Sequence, residues 1–173
     1  MKAVPTRKEC LKILREAGCS EKVINHCLVV ARLAKRVARL AGADRMLVEK
    51  GALLHDLGRA RTHGIEHAVI GAQMARELDL PEEIVLMIER HIGAGVSANE
   101  AAVLGLPSKD YTPKTLEEKI VAHSDNLIDE DRKRPVSDVV AYLRGLGYEE
   151  VADRILALHR ELSLICGVDL DDV

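Results

Sequence analysis

His55 and Asp56 stand side by side within the apolar stretch Ala52-Leu53-Leu54-His55-Asp56-Leu57. An imidazole or carboxylate aimed into a core is costly unless something satisfies it. His26, His91 and Asp125 lie on or beside other apolar helical faces. His26, Val30, Leu33, Val37 and Leu40 recur at steps of four, three, four and three residues, one narrow stripe of a helix. His67 shares a stripe with Gly71, Met74, Ala75 and Leu78; His91 shares one with Ile84, Met87 and Ile88; Asp125 shares one with Val121 and Ile128. A single inward histidine is ordinarily a hydrogen-bonded core residue. Several helices each presenting one, beside a His-Asp pair, point instead to a shared cation. Imidazole and carboxylate donors suit Mn, Fe, Co, Ni or Zn, with Mg as a further option. Their lack of thiolate partners argues against a structural zinc.

Nearly the whole chain has helical periodicity, with no convincing alternating strand. Thr6 caps a helix to about Ala17, and Ser20 opens a longer one to Leu40, closed by Gly42. Asp44 caps a third, which ends around His55 to Gly58. A fourth runs from about Ile65 to Leu78, and a fifth from Pro81 to about Ile92. Thr115 and Glu118 form a capping-box pattern for a sixth, to about Glu130. Pro135 starts a seventh, and Tyr148 to Cys166 form an eighth. Asn99 to Lys114 is the one long irregular stretch, a length often used for lids and binding loops. The expectation is a single all-α domain over 1–173, a helical bundle of about seven to eight helices. Its metal-binding core covers about 20–131, and C-terminal helices cover 135–166.

With 173 residues, 47% hydrophobic and 31% charged, the chain can bury a sizeable core and is not of disordered type. Phe and Trp are absent and there are three Tyr, so aromatic platforms for stacking single-stranded bases are missing. A net charge of −3 gives no global attraction to nucleic acid. The cysteines Cys10, Cys19, Cys27 and Cys166 form no C-x-x-C pair, and Cys10 and Cys27 read as small core residues. Reduced thiols, together with a Met-Lys-Ala-Val-Pro start and no long apolar run, lead us to expect a cytoplasmic protein without membrane association.

The order His26, His55-Asp56 within His-Asp-Leu-Gly, then Asp125, resembles the HD-domain superfamily of metal-dependent phosphohydrolases over about His26 to Asp129. The His-Asp-x-Gly form and the additional His67 and His91 are similar to the branch holding HD-GYP phosphodiesterases and symmetrical dinucleoside tetraphosphate hydrolases. The resemblance implies an HD-domain helical bundle with His26, His55, Asp56 and Asp125 around one divalent metal. It also implies Asp56 as a bridge to a second metal held by His67 and His91. Ile92-Gly93-Ala94-Gly95 follows His91 where HD-GYP proteins carry Gly-Tyr-Pro, which speaks against cyclic-dinucleotide cleavage.

On this reading a metal-activated water attacks a phosphate mono- or diester of a small nucleotide, with an RNA end as a less favoured substrate. Asp56 and Arg59 are the catalytic candidates, and Arg59 is placed to reach a phosphoryl oxygen. Arg59, His63 and Gly93 are candidate substrate contacts, and His63 competes with His67 as a ligand. His123 and His159 read as structural. Two other readings use the same residues: a di-iron oxygenase, and a non-catalytic metal- or nucleotide-binding module. The amphipathic last helix either completes the core or mediates a homodimer.

Overall fold

The structure is a computed structural model that describes residues 3–173. Met1 and Lys2, the start of the Met-Lys-Ala-Val-Pro stretch, lie outside the described residues. Nine α-helices and one two-stranded hairpin make up the described chain, so the all-α expectation holds with one helix more than expected. Among the described residues no helix is long and apolar enough to cross a membrane.

Helix α1 (Arg7–Ala17) opens on Thr6, whose hydroxyl accepts from the Glu9 amide while the Glu9 carboxylate accepts from the Thr6 amide. Helix α2 (Glu21–Ala41) opens on Ser20 and closes at Gly42, whose φ of 72° suits a residue without a Cβ. Its buried stripe, from Ile24 and Cys27 to Val37 and Ala38, forms the centre of the bundle. Leu40 was expected on this stripe but is 40% exposed, because the helix runs past the edge of the core. Leu78 is likewise 49% exposed, just beyond the end of its helix.

Helix α3 (Arg45–Leu54) packs along α2. It is capped by Asp44, which accepts from the Met46 and Leu47 amides. A short 3-10 turn (Leu57–Ala60) follows. Helices α4 (His67–Glu77) and α5 (Glu82–Glu89) then fold back on this turn and on α3. Two glycine contacts set these approaches. A Cβ on Gly58 would drive into the His67 carbonyl and lie 2.7 Å from the Gly71 amide nitrogen. One on Gly51 would strike the Met87 sulfur.

Several boundaries differ from the sequence expectation. Helix α4 begins at His67 rather than Ile65, and α5 ends at Glu89, leaving His91 past the helix end. The irregular stretch contains a short helix α6 (Ala98–Val103), opened by a Ser97–Glu100 capping box. Helix α7 (Leu116–Asn126) stops short of Glu130. Ile128–Asp129 instead pairs antiparallel with Arg132–Lys133 around Glu130, whose φ is 55°. Thr115 does accept from the Glu118 amide, but Glu118 does not return the bond. Its carboxylate takes Arg90 and the Lys114 amide, since a charged partner within reach outcompetes a cap. Helix α9 (Glu149–Cys166) packs on α2 and α7, and α8 (Val136–Gly145) packs on α9.

Glu49, on α3, has a side chain only 6% exposed and is ringed by cations: Lys50 at 2.7 Å, Arg7 at 2.9 Å and Lys35 at 3.2 Å. Burial works to raise its pKa, but bonds from Lys50, Lys35 and Arg7 overcome it and hold the carboxyl at about 2, from 4.5. A carboxylate whose folded pKa is depressed adds stability above its unfolded value and loses it as pH falls toward the folded one. We therefore predict that Glu49→Gln lowers the denaturation midpoint at neutral pH. The loss relative to the parent should shrink as pH falls from about 4.5 toward about 2, as read by urea titrations at a series of pH values.

Candidate metal centre

Each sequence-predicted ligand arrives from a different element. His26 comes from the first third of α2, His55 caps the end of α3, and Asp56 begins the 3-10 turn. His67 opens α4, His91 follows α5, and Asp125 is one residue from the end of α7. The structure brings all six together. The His26 Nε2 lies 2.9 Å from Asp125 Oδ1, and the His55 Nε2 lies 3.3 Å from the same oxygen. On the other side, His67 Nε2 is 3.2 Å and His91 Nε2 3.7 Å from Asp56 Oδ1. The second Asp56 oxygen faces His55 Nε2 at 3.6 Å. Asp56 thus stands between two donor clusters and turns one oxygen toward each.

The other ring nitrogens decide what these clusters can hold. His26 Nδ1 lies 2.8 Å from the Glu130 carbonyl, and His55 Nδ1 2.7 Å from that of Ala52. His67 Nδ1 lies 2.8 Å from the Gly64 carbonyl, and His91 Nδ1 2.7 Å from that of Ile88. A carbonyl only accepts, so every Nδ1 must donate, and every neutral ring presents a bare Nε2 lone pair to the centre. Those lone pairs face carboxylate oxygens, which also only accept. His67 Nε2 and His91 Nε2 approach to 3.0 Å, and the buried His55 Nε2 has no hydrogen-bond partner among the described residues. Such a shell is satisfied by cations, either extra protons or metal ions. Carbonyl-oriented imidazoles are the usual second layer of a metal site. The residues fit divalent metals with nitrogen and oxygen donors.

Electrostatics agree with this. Burial resists charging His55, but the Asp56 and Asp125 carboxylates outweigh it and hold its proton well above the usual histidine range. Burial, with His55 and His67 beside it, pushes His91 down to about 3. Burial also opposes the charge on Asp56 and Asp125, yet His55 and the other imidazoles keep both far below the ordinary aspartate range. Positive charge on His55 and negative charge on Asp56 and Asp125 therefore favour each other across the site.

The remaining candidates are placed as follows. Arg59 Nε donates to Asp56 Oδ1 at 3.2 Å, and its Nη1 donates to the His63 carbonyl at 2.7 Å. Thus His63 is tied to the site through its backbone while the residue itself is exposed. The Gly93 carbonyl accepts from Asn126 Nδ2 at 2.9 Å, which links the chain after His91 to the helix bearing Asp125. His123 and His159 lie outside the centre. His123 Nε2 meets His159 Nδ1 at 2.9 Å, and His159 Nε2 meets Asp169 at 2.9 Å. Sequence reasoning missed Cys27, which it read as packing: its sulfur lies within 4.8 Å of donor atoms of both His55 and Asp56. Its position next to His26 was the available signal. It also missed the Glu130 carbonyl, because nothing in the sequence announces a hairpin there.

A metal entering this network must displace the proton held on His55. Binding should therefore release protons, and affinity should fall as pH drops, because the raised His55 pKa lets protons compete at higher pH than a free imidazole would. Calorimetric titration with Mn²⁺ in buffers of different ionisation enthalpy measures the release. A pH-independent affinity with no released proton would contradict the assignment.

Comparison with known proteins accords with this geometry. The family model described as HD domain matches residues 23–129. The chain is 44% identical over all 173 residues to a Picrophilus torridus protein named tRNA (cytidine(56)-2'-O)-methyltransferase, but spans only 51% of that protein. It is 47% identical over 163 residues to an uncharacterized protein, MJ0778, of Methanocaldococcus jannaschii, covering 90% of this chain and 96% of that one. Among solved structures, the HD domain of the L. monocytogenes phosphodiesterase PgpH in complex with cyclic-di-AMP superposes with a TM-score of 0.61. Identity is 18%, and 95% of this chain and 94% of that one are covered. At that identity the likeness shows the fold. The chain belongs to the HD-domain family.

Proposed function

We propose that this centre binds one or two divalent transition-metal ions and that the protein hydrolyses a phosphate ester of a nucleotide. The carrying observation is the set of four imidazoles locked by backbone carbonyls with Nε2 inward, around a carboxylate that turns an oxygen to each side. His26, His55 and Asp125, with one oxygen of Asp56, form one ligand set. His67, His91 and the other oxygen form the second. When bound, such a metal lowers the pKa of a coordinated water toward neutrality and offsets charge on the phosphoryl group.

The chain's own residues do the rest. Asp56 stands between the two clusters, and His55, His67 and His91 hold its carboxyl far below the ordinary aspartate range against its burial. Arg59 is 28% exposed at its side chain and holds Asp56 through one nitrogen. It can turn its remaining donors to a non-bridging phosphoryl oxygen as a planar cation. An arginine beside the Asp56 carboxylate, with donors left for a phosphoryl group, favours hydrolysis over the oxygenase reading. Gly93, held by Asn126, lines an apolar groove of about 600 Å³ with Ile65, Ile92 and Val96. The groove is of a size suited to the organic part of a small substrate.

A second reading, in which the phosphate belongs to RNA, is favoured by the Picrophilus relative, where the matching segment is half of a protein named as a tRNA-modifying enzyme. The whole of that activity does not transfer with half the length.

We predict that Asp56→Ala removes bound metal and phosphatase activity together. His67→Ala and His91→Ala should each lower bound metal from about two equivalents to about one. Elemental analysis after loading with Mn²⁺, Fe²⁺ or Zn²⁺, beside a panel of phosphomonoesters and diesters, checks both. Full metal content in Asp56→Ala would contradict the ligand assignment. Oxygen consumption by the iron-loaded protein with no ester cleavage would contradict hydrolysis.

A further inference from the structure

The net charge of −3 hides a strong local asymmetry. Helix α2 carries Arg32, Lys35, Arg36 and Arg39 on its solvent side, all exposed. With Arg7 and Arg45 they line one groove of about 500 Å³. Adjoining concavities share Arg39 and Arg45 on one side, and Arg7 and Lys35 on the other, extending the same basic surface.

The anions within reach are already engaged. Glu49, the carboxylate of the groove, is held by Arg7, Lys35 and Lys50. Asp44, at its edge, caps α3. Arg32, Arg36, Arg39 and Arg45 make no ion pair or hydrogen bond among the described residues. Four left unpaired around one concavity make a surface complementary to an anion larger than a side chain.

We infer that the arginine face of α2 is a docking surface for the phosphodiester backbone of RNA. Arg32, Arg36 and Arg39 stand at i, i+4 and i+7, one stripe about 10 Å long at 1.5 Å per residue. That length meets successive backbone phosphates, which planar guanidinium groups bind in bidentate fashion. No Phe or Trp exists in the chain and no tyrosine lines this groove, so bases are not stacked here. The surface reads backbone rather than sequence. It is distinct from the metal centre: Arg36 lies about 15 Å along α2 from His26, and Arg32, Lys35 and Arg39 sit on the opposite side of the helix. The choice of RNA over other polyanions rests on the second reading under Proposed function. The docking surface itself does not depend on hydrolysis.

The test is fluorescence anisotropy of the metal-free protein with a labelled RNA hairpin at 50–200 mM KCl. Neutralising about four phosphates gives a slope of log K against log salt near −3, roughly sixtyfold weaker binding across that range. Arg36→Ala/Arg39→Ala should reduce the slope to about −1.5. Its thermal midpoint should match the parent's, since both side chains are exposed and unpaired. Absence of binding at 50 mM KCl would overturn the inference, as would an unaltered slope in the double variant. Tighter binding of a DNA duplex, or equal competition by poly-glutamate, would overturn the assignment to RNA. Hairpin binding by a protein that cleaves no ester in the presence of metal would support the inference and remove only the phosphohydrolase reading.

Discussion

The conflict of lone pairs at the centre of the bundle organises this protein. Four backbone carbonyls take the Nδ1 protons of His26, His55, His67 and His91. Each ring, when neutral, then turns an unprotonated nitrogen toward carboxylates that are themselves only acceptors. Inside a core this arrangement is unstable without positive charge at its middle. A proton on His55 supplies part of it: the neighbouring carboxylates hold that ring's pKa above the usual histidine range, and His55 in turn holds Asp56 and Asp125 below the usual aspartate range. Divalent ions would supply it with better geometry. Either way the polar centre is a constraint imposed on the bundle, and the aliphatic packing around it must be strong enough to hold it.

That packing is arranged around close backbone approaches. Gly58 touches the His67 carbonyl and the Gly71 amide, so the 3-10 turn carrying Asp56 is pressed onto the start of the helix carrying His67. Gly51 gives α3 the same freedom against Met87 on α5, the helix that precedes His91. A methyl group at Gly58 would meet backbone and push these elements apart, whereas one at Gly51 would force the Met87 side chain to move. The Asn126 bond to the Gly93 carbonyl ties the segment after His91 to α7 and Asp125. The positions of these side chains are therefore fixed twice, once by hydrogen bonds to the rings and once by the contacts of their supporting turns.

Much of this was legible in the sequence, for stated reasons. A polar residue on an apolar 3.6-residue stripe is visible without a structure, and that signal singled out His26, His67, His91 and Asp125; the adjacent His55-Asp56 pair stood out by itself, and the grouping of all six came from the resemblance to HD-domain proteins. Thr6, Ser20, Asp44 and Gly42 announced helix ends because their side chains, or the lack of one, act within a few residues. What depends on distant partners was not legible. Glu118 completes a capping pattern on paper, but Arg90, 28 residues away in sequence, claims its carboxylate. The hairpin at 128–133 has no alternating pattern long enough to read, yet it supplies the carbonyl that orients His26. Cys27 looked like filler because its neighbour His55 lies on another helix. The Ser97–Glu100 box was readable but sat in a stretch too rich in loop residues to suggest a helix.

The central claim is that carbonyl-locked imidazoles and the Asp56 carboxylate form a two-sided cation site. Anomalous scattering from crystals grown with Mn²⁺ tests it most directly. The account predicts one peak among His26, His55 and Asp125 and a second between His67 and His91, with one Asp56 oxygen toward each. A centre without anomalous density, or density confined to the separate His159, Asp169 and Asp171 group, would contradict it.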